Sequence, residues 1–203
     1  MTKPKYKVWV VNLVPTGTKV YDPNNSSYYY DWDQAKLDDT VAEIKSLFDS
    51  VCKHVVSKFS ETDVESKDLG TVASSIKTGE LLIRLTSKTN SVLIKKYGKD
   101  AVSNDASGGT KDTGSGIVSE AWIEGAAGSP TVPDLVARLA FHELMHNKID
   151  AANSMDIHSK PDDGTGLAVS PVAYNTDPSA TNKRNMAMRL GSIVSQFTGA
   201  SIP

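Results

Sequence analysis

Hydrophobic positions along the chain fall into segments of clearly different period. Lys5 to Val14 (KYKVWVVNLV) is rich in β-branched and aromatic side chains and has no helical spacing, which predicts a buried strand. From about Asp33 to Phe59 the period changes. Leu37, Val41, Ile44, Leu47, Val51 and Val55 recur at steps of three and four with charges between them, the pattern of one long amphipathic helix laid on a sheet. Weaker strand signals follow near Val64 to Lys67, and stronger ones at Gly79 to Ser87 and Ile117 to Ile123 (IVSEAWI). Residues 91–98 predict a short helix. Thr131 to Asp150 reads as a second long helix. Ala180 to Phe197 reads as a last one, with Met186, Met188, Leu190, Ile193 and Val194 as its apolar positions.

Two polar stretches separate these elements. Residues 15–32 are turn-rich and end in the run Tyr28-Tyr29-Tyr30, expected to pack as an amphipathic loop. Ser103 to Gly116 is rich in Gly, Ser, Asp and Thr and is expected to be a long exposed loop. No repeat and no linker is visible. The pattern predicts an α+β fold in one domain over 1–203: a twisted mixed sheet of about four to five strands, a long packing helix, an active-site helix and a C-terminal helix.

Composition narrows the function classes. The 203 residues are 39% hydrophobic and 23% charged with net charge −2, a soluble globular balance able to bury its own core. Such a charge disfavours a nucleic-acid partner, and no apolar run approaches the ~20 residues of a membrane span. Cys52 is the single cysteine, so no internal disulfide forms. The opening MTKPKYKVWVV enters a strand with no apolar leader. The chain as given is therefore expected to be a monomer, either cytoplasmic or exported by a non-classical route.

The chemistry sits in TVPDLVARLAFHELMHNKID. Thr131 stands where a helix cap belongs, with Asp134 at capping-box spacing and a proline in the first turn. His142-Glu143-Leu144-Met145-His146 is an HExxH pattern. Residues i and i+4 stand one turn apart on the same side of a helix, so two imidazoles there can converge on one Zn2+ at about 2.0–2.1 Å each. Glu143 can then act on the zinc-activated water as general base and return the proton to the leaving amine. With four His and seven Glu in the chain, the pattern arises by chance on the order of a few times per thousand such sequences. Two histidines and a glutamate would also be costly in so apolar a helix without a metal or partners.

A catalytic zinc takes three protein ligands plus water. No glutamate follows Glu143. The remaining candidates are His158, Asp150, Asp156, Asp162, Asp163 and Asp177. His158, the only histidine after the motif, is the expected third ligand, and Asp156 is the next choice. Asp150 lies about 12 Å of helical rise beyond His142 and cannot share its metal while the chain stays helical.

The order of these elements and the HExxH helix resemble the metzincin-type zinc peptidases. The resemblance implies an extended peptide or protein substrate paired along Ile117–Ile123 as an edge strand. It also implies a tight turn under the metal, with Ser170-Pro171-Val172-Ala173-Tyr174 in that place and Val172 where the family has methionine. Tyr174 would serve as a ligand or as a donor to the oxyanion. The chain departs from the family's extended motif. Ile149 and Ala152 occupy the positions of its glycine and third histidine, so His158 plays that part only across a six-residue insertion. The expected activity is a zinc metallo-endopeptidase, with a peptidoglycan-directed or delivered toxin peptidase as a variant. A metal-binding module without turnover, and a structural metal site closed by a fourth protein ligand, are the alternatives.

Overall fold

The computed structural model describes residues 2–22, 25–98, 107–114, 116–150, 157–158, 165–168 and 171–192. In chain order they form β1 (Tyr6–Asn12), β2 (Thr18–Tyr21), β3 (Tyr29–Trp32), α1 (Gln34–Cys52), β4 (Thr62–Ser66), α2 (Leu69–Ser75), β5 (Leu81–Thr86), α3 (Val92–Tyr97), β6 (Gly108–Asp112), β7 (Ile117–Trp122), α4 (Val132–Met145) and α5 (Ala180–Arg189). The main sheet has the order β4-β1-β5-β7-β6. Its first four strands are mutually parallel, and β6 runs antiparallel to β7. This is the mixed α+β architecture that the pattern predicts. Among the described residues no helix is long and apolar enough to cross a membrane.

The central strands read as continuous apolar runs because both sheet faces are covered. Val8 and Val10 of β1, with Leu81, Ile83 and Leu85 of β5, join the larger core under α1, α4 and α5. Trp9, Val11 and Leu82 point the other way, into a smaller core with Val72 of α2 and Leu93 of α3. α4 is buried almost all round. Phe141 meets Phe48 of α1 at a ring separation of 4.9 Å, and burying a side chain of this kind contributes about 1.5–3 kcal/mol.

Four expectations change. The apolar stripe of α1 continues in sequence to Phe59, but the helix ends at Cys52 and Val55 is 87% exposed. Asp49 Oδ1 accepts the Thr62 N–H at 2.7 Å. This bond draws β4 against the last turn of α1, so the residues between them form the return. Residues 15–32 are not only loop: β2 and β3 pair as an antiparallel ribbon. Tyr30 and Trp32 alternate inward, and the Tyr30 hydroxyl donates to the Ile123 carbonyl at 2.6 Å. α5 stops at Arg189, with Met188 exposed and Leu190 buried at its cap; Ile193 and Val194 lie outside the described residues.

The fourth change bears on function. Ile117–Ile123 is not an edge strand. β7 is paired on both sides, to β5 and to β6. Among the described residues the sheet's unpaired edge beside α4 belongs to β6, inside the stretch expected to be a loop. Gly108-Gly109-Thr110-Lys111-Asp112 has poor intrinsic strand propensity. It is strand because β7 supplies the ladder, in the register Gly108↔Ala121 and Thr110↔Ser119.

Candidate metal centre

His142 and Glu143 stand on the last turn of α4, and His146 opens the turn that follows it. The entry of α4 differs from the expected cap: Thr131 makes no side-chain capping bond. The first turn instead has Pro133, whose missing N–H costs nothing there, and Asp134, whose charge suits the helix N-terminus. At its other end the helix widens into a π-helical turn over His146–Asp150. Such turns add a residue without breaking the helix and occur often at functional sites. Where the metzincin pattern has glycine, Ile149 is 1% exposed and packs into the main core. Lys148 is held inside the same turn, donating to the Gly79 and Ser192 carbonyls at 3.3 and 3.1 Å. Burial brings its pKa down to about 8.

His142, His146 and His158 form a near-equilateral cluster. Their ring centroids are 4.8, 5.1 and 5.1 Å apart, and one ligand nitrogen from each lies within 4.8 Å of the others. The three are close enough to hold one metal ion. The predicted third histidine therefore arrives from the far side of the six-residue insertion.

The orientation of two rings is set by backbone. His142 Nδ1 stands 2.6 Å from the Leu167 carbonyl, and His158 Nδ1 stands 2.6 Å from the Ala168 carbonyl. A carbonyl only accepts, so both Nδ1 atoms carry the proton and Nε2 is the nitrogen left for a metal. The Nε2 atoms of His142 and His146 are 3.2 Å apart. Two donors each about 2.0–2.1 Å from one tetrahedral ion stand roughly 3.3 Å apart, so the spacing fits a zinc-sized cation. Imidazole nitrogens, two of them on rings anchored at Nδ1 by a backbone carbonyl, are a donor set and outer shell that such an ion takes.

Leu167 and Ala168 belong to a short 3₁₀ turn, Gly166–Ala168, buried beneath the histidines. Asn182 of α5 holds it, its Oδ1 accepting the Leu167 N–H at 2.9 Å and the Ser179 N–H at 3.0 Å. Gly166 has φ +56°, and a Cβ there would fall 2.4 Å from both Asn182 Oδ1 and Ser179 N, so the turn admits no side chain. Among the described residues, the turn that touches the ligands is 166–168. Val172 packs against the main core, and Ser170 lies outside the described residues.

Glu143 lies beside the cluster, 6% exposed. Its Oε2 accepts the Thr110 hydroxyl of β6 at 2.9 Å. Gly108, two residues earlier on the same face of β6, passes so close that a Cβ would fall 2.5 Å from Glu143 Oε1.

Of the other predicted residues, Tyr174 and Asp177 are among those described. Tyr174 is 39% exposed and has no hydrogen bond or ring contact with these four residues among the described residues. Asp177 is 77% exposed at its side chain and meets Arg138 of α4 at 3.2 Å, not the histidines. Arg138 also donates to the Thr176 carbonyl at 2.8 Å and to Glu43 of α1 at 3.0 Å. Asp156, Asp162, Asp163 and the Asp150 side chain lie outside the described residues.

Gly108, Thr110, Leu167, Ala168 and Asn182 were not legible as site residues. Their only sequence signal is the Gly-Gly pair in a polar stretch. No protein-family model matches this chain, and neither does any curated protein or solved structure.

Proposed function

We propose that the chain is a zinc-dependent endopeptidase. The observation that carries the reading is the convergence of His142, His146 and His158 with a separate carboxylate, Glu143, alongside. A glutamate one residue from a ligand, its Oε2 held by the Thr110 hydroxyl, is placed to serve as a proton carrier beside the metal. A zinc ion at the three Nε2 atoms would supply Lewis acidity, acidifying water and polarising a peptide carbonyl. Glu143 takes the proton of the attacking water and returns it to the leaving amine. The Leu167 and Ala168 carbonyls keep the imidazoles turned inward as this happens.

The edge of β6, adjacent to Glu143, is the place for an extended peptide to add as a further strand. It takes over the role first expected of Ile117–Ile123. Main-chain pairing at that edge would hold a scissile bond beside Glu143.

Elemental analysis of purified protein supplied with zinc, with peptide-library cleavage by wild type and Glu143→Gln, tests the reading. One zinc per chain in both proteins, with cleavage lost by about 10²–10⁴-fold in Glu143→Gln, is the expected result. Absence of bound metal, or equal cleavage by the two proteins, would overturn it. Bound zinc without hydrolysis of any peptide would favour a non-catalytic metal-binding module.

A further inference from the structure

Strand β6 does more at this site than offer an edge. Residues two apart on a strand share a face, and Gly108 and Thr110 of β6 both face the last turn of α4. They meet the Glu143 carboxylate at opposite oxygens. Oε1 lies over Gly108 and Oε2 accepts from Thr110.

The Thr110 hydroxyl has one proton and three polar neighbours: Glu143 Oε2 at 2.9 Å, the Glu143 carbonyl at 2.8 Å and Ser119 Oγ at 3.1 Å. Proton bookkeeping orders them. The Glu143 carbonyl also accepts a share of the His146 N–H, which it divides with the His142 carbonyl. Ser119 of β7, fully buried, receives the Asn147 amide N–H at 3.1 Å and lies 3.1 Å from the Thr110 hydroxyl and 3.5 Å from the Glu143 carbonyl. The Thr110 proton then goes to the acceptor that carries charge, because hydrogen bonds to ionised acceptors are the stronger ones. Asn147, Ser119, Thr110 and the Glu143 carboxylate thus form one connected hydrogen-bond network. Asn147 sits on the π-helical turn next to His146, so the network closes a loop between the metal-binding helix and the edge strand.

We infer that Thr110 is a positioning residue for Glu143: its hydroxyl, in one network with Ser119 and Asn147, ties down one oxygen of the carboxylate that acts on the reacting water. The inference rests on the peptidase reading for its catalytic meaning. The contact itself belongs to the fold. Thr110 has no hydrogen bond to any of the three histidines, so its removal leaves the metal site intact.

The test compares wild type, Thr110→Val and Thr110→Ser, all loaded with zinc, together with a stability cycle on metal-free protein. Valine keeps the shape and removes the hydroxyl. Expected are an unchanged zinc content, a kcat lowered by about 10–100-fold with KM within about twofold, and recovery of most of the rate in Thr110→Ser. In metal-free protein Thr110→Val lowers Tm by about 2–6 °C, and at least half of that loss disappears when Glu143 is already alanine. A wild-type kcat in Thr110→Val, or the same Tm loss in both backgrounds, overturns the inference and leaves the peptidase reading standing. Zinc-loaded wild type that cleaves no peptide removes the peptidase reading, and the stability cycle still decides whether Thr110 holds Glu143.

Discussion

The Leu167 carbonyl accepts the Nδ1 proton of His142 at 2.6 Å, while the N–H of the same residue is held by Asn182 of α5 at 2.9 Å. A ligand on one helix is thus aimed by a side chain on another, through a single peptide turn. Asn182→Ala is expected to weaken zinc binding about 10–100-fold with all three histidines present, the usual cost of losing an outer-shell partner. Gly166→Ala should do the same by forcing the turn away from Asn182. Competition with a chromogenic chelator measures both.

Metal removal has a stability consequence. If zinc binds the folded chain alone, free zinc at 100-fold its Kd adds about 2.7 kcal/mol, or about 5–10 °C in Tm for a chain of this size. Differential scanning calorimetry with zinc and then with chelator should show that shift. His158→Ala should lose most of it at the same zinc concentration. An undiminished shift would move the third ligand elsewhere.

Gly108 tests the steric side of the site. An alanine Cβ there falls 2.5 Å from Glu143 Oε1 and 2.8 Å from the Glu120 carbonyl. The backbone carbonyl cannot swing aside as a side chain can. Gly108→Ala should therefore displace Glu143 or β6, costing about 1–3 kcal/mol in urea unfolding and at least tenfold in kcat.

Arg138 bridges α1, α4 and residues 176–177, and its partners are unequal. Glu43 and the Thr176 carbonyl are sheltered, whereas the Asp177 side chain is 77% exposed. Arg138→Met should cost about 1–3 kcal/mol, because it strips a half-buried carbonyl and a half-buried carboxylate of their donor. Asp177→Asn should cost under about 1 kcal/mol, as exposed ion pairs do. Chemical denaturation of the two variants separates them.

Asp49 predicts an acid dependence. Burial alone would raise its pKa, but the Lys45 ammonium and the Thr62 N–H outweigh burial and hold it below its ordinary 3.8. The folded state is thus the weaker proton binder. The stabilisation is complete above the unfolded pKa and is lost as pH falls through the lower folded one. Asn mimics the protonated form. Asp49→Asn should therefore be about 1 kcal/mol less stable at pH 7, with the deficit fading below pH ~4. A deficit that persists at pH 2 would show that the charge was not its source.

What could be read from the sequence was whatever depends on local period and short spacing. The parallel core strands announce themselves as apolar runs, α1 as a three-and-four stripe, and His142, Glu143 and His146 as one helical turn of chemistry. His158 was reachable by elimination, since no glutamate and no other histidine follows the motif. Tertiary structure alone decided the rest, because pairing and close approach are relations between segments distant in the chain. Gly108 to Asp112 is a strand only because Ile117–Trp122 lends it a ladder, and that pairing moves the edge from β7 to β6. Leu167 and Ala168 matter through their carbonyls, which every residue has and no sequence pattern marks. Thr110 became a partner of Glu143 through 33 positions of intervening chain. Local sequence dictates which groups an element presents; which of them meet is decided by how the elements pack.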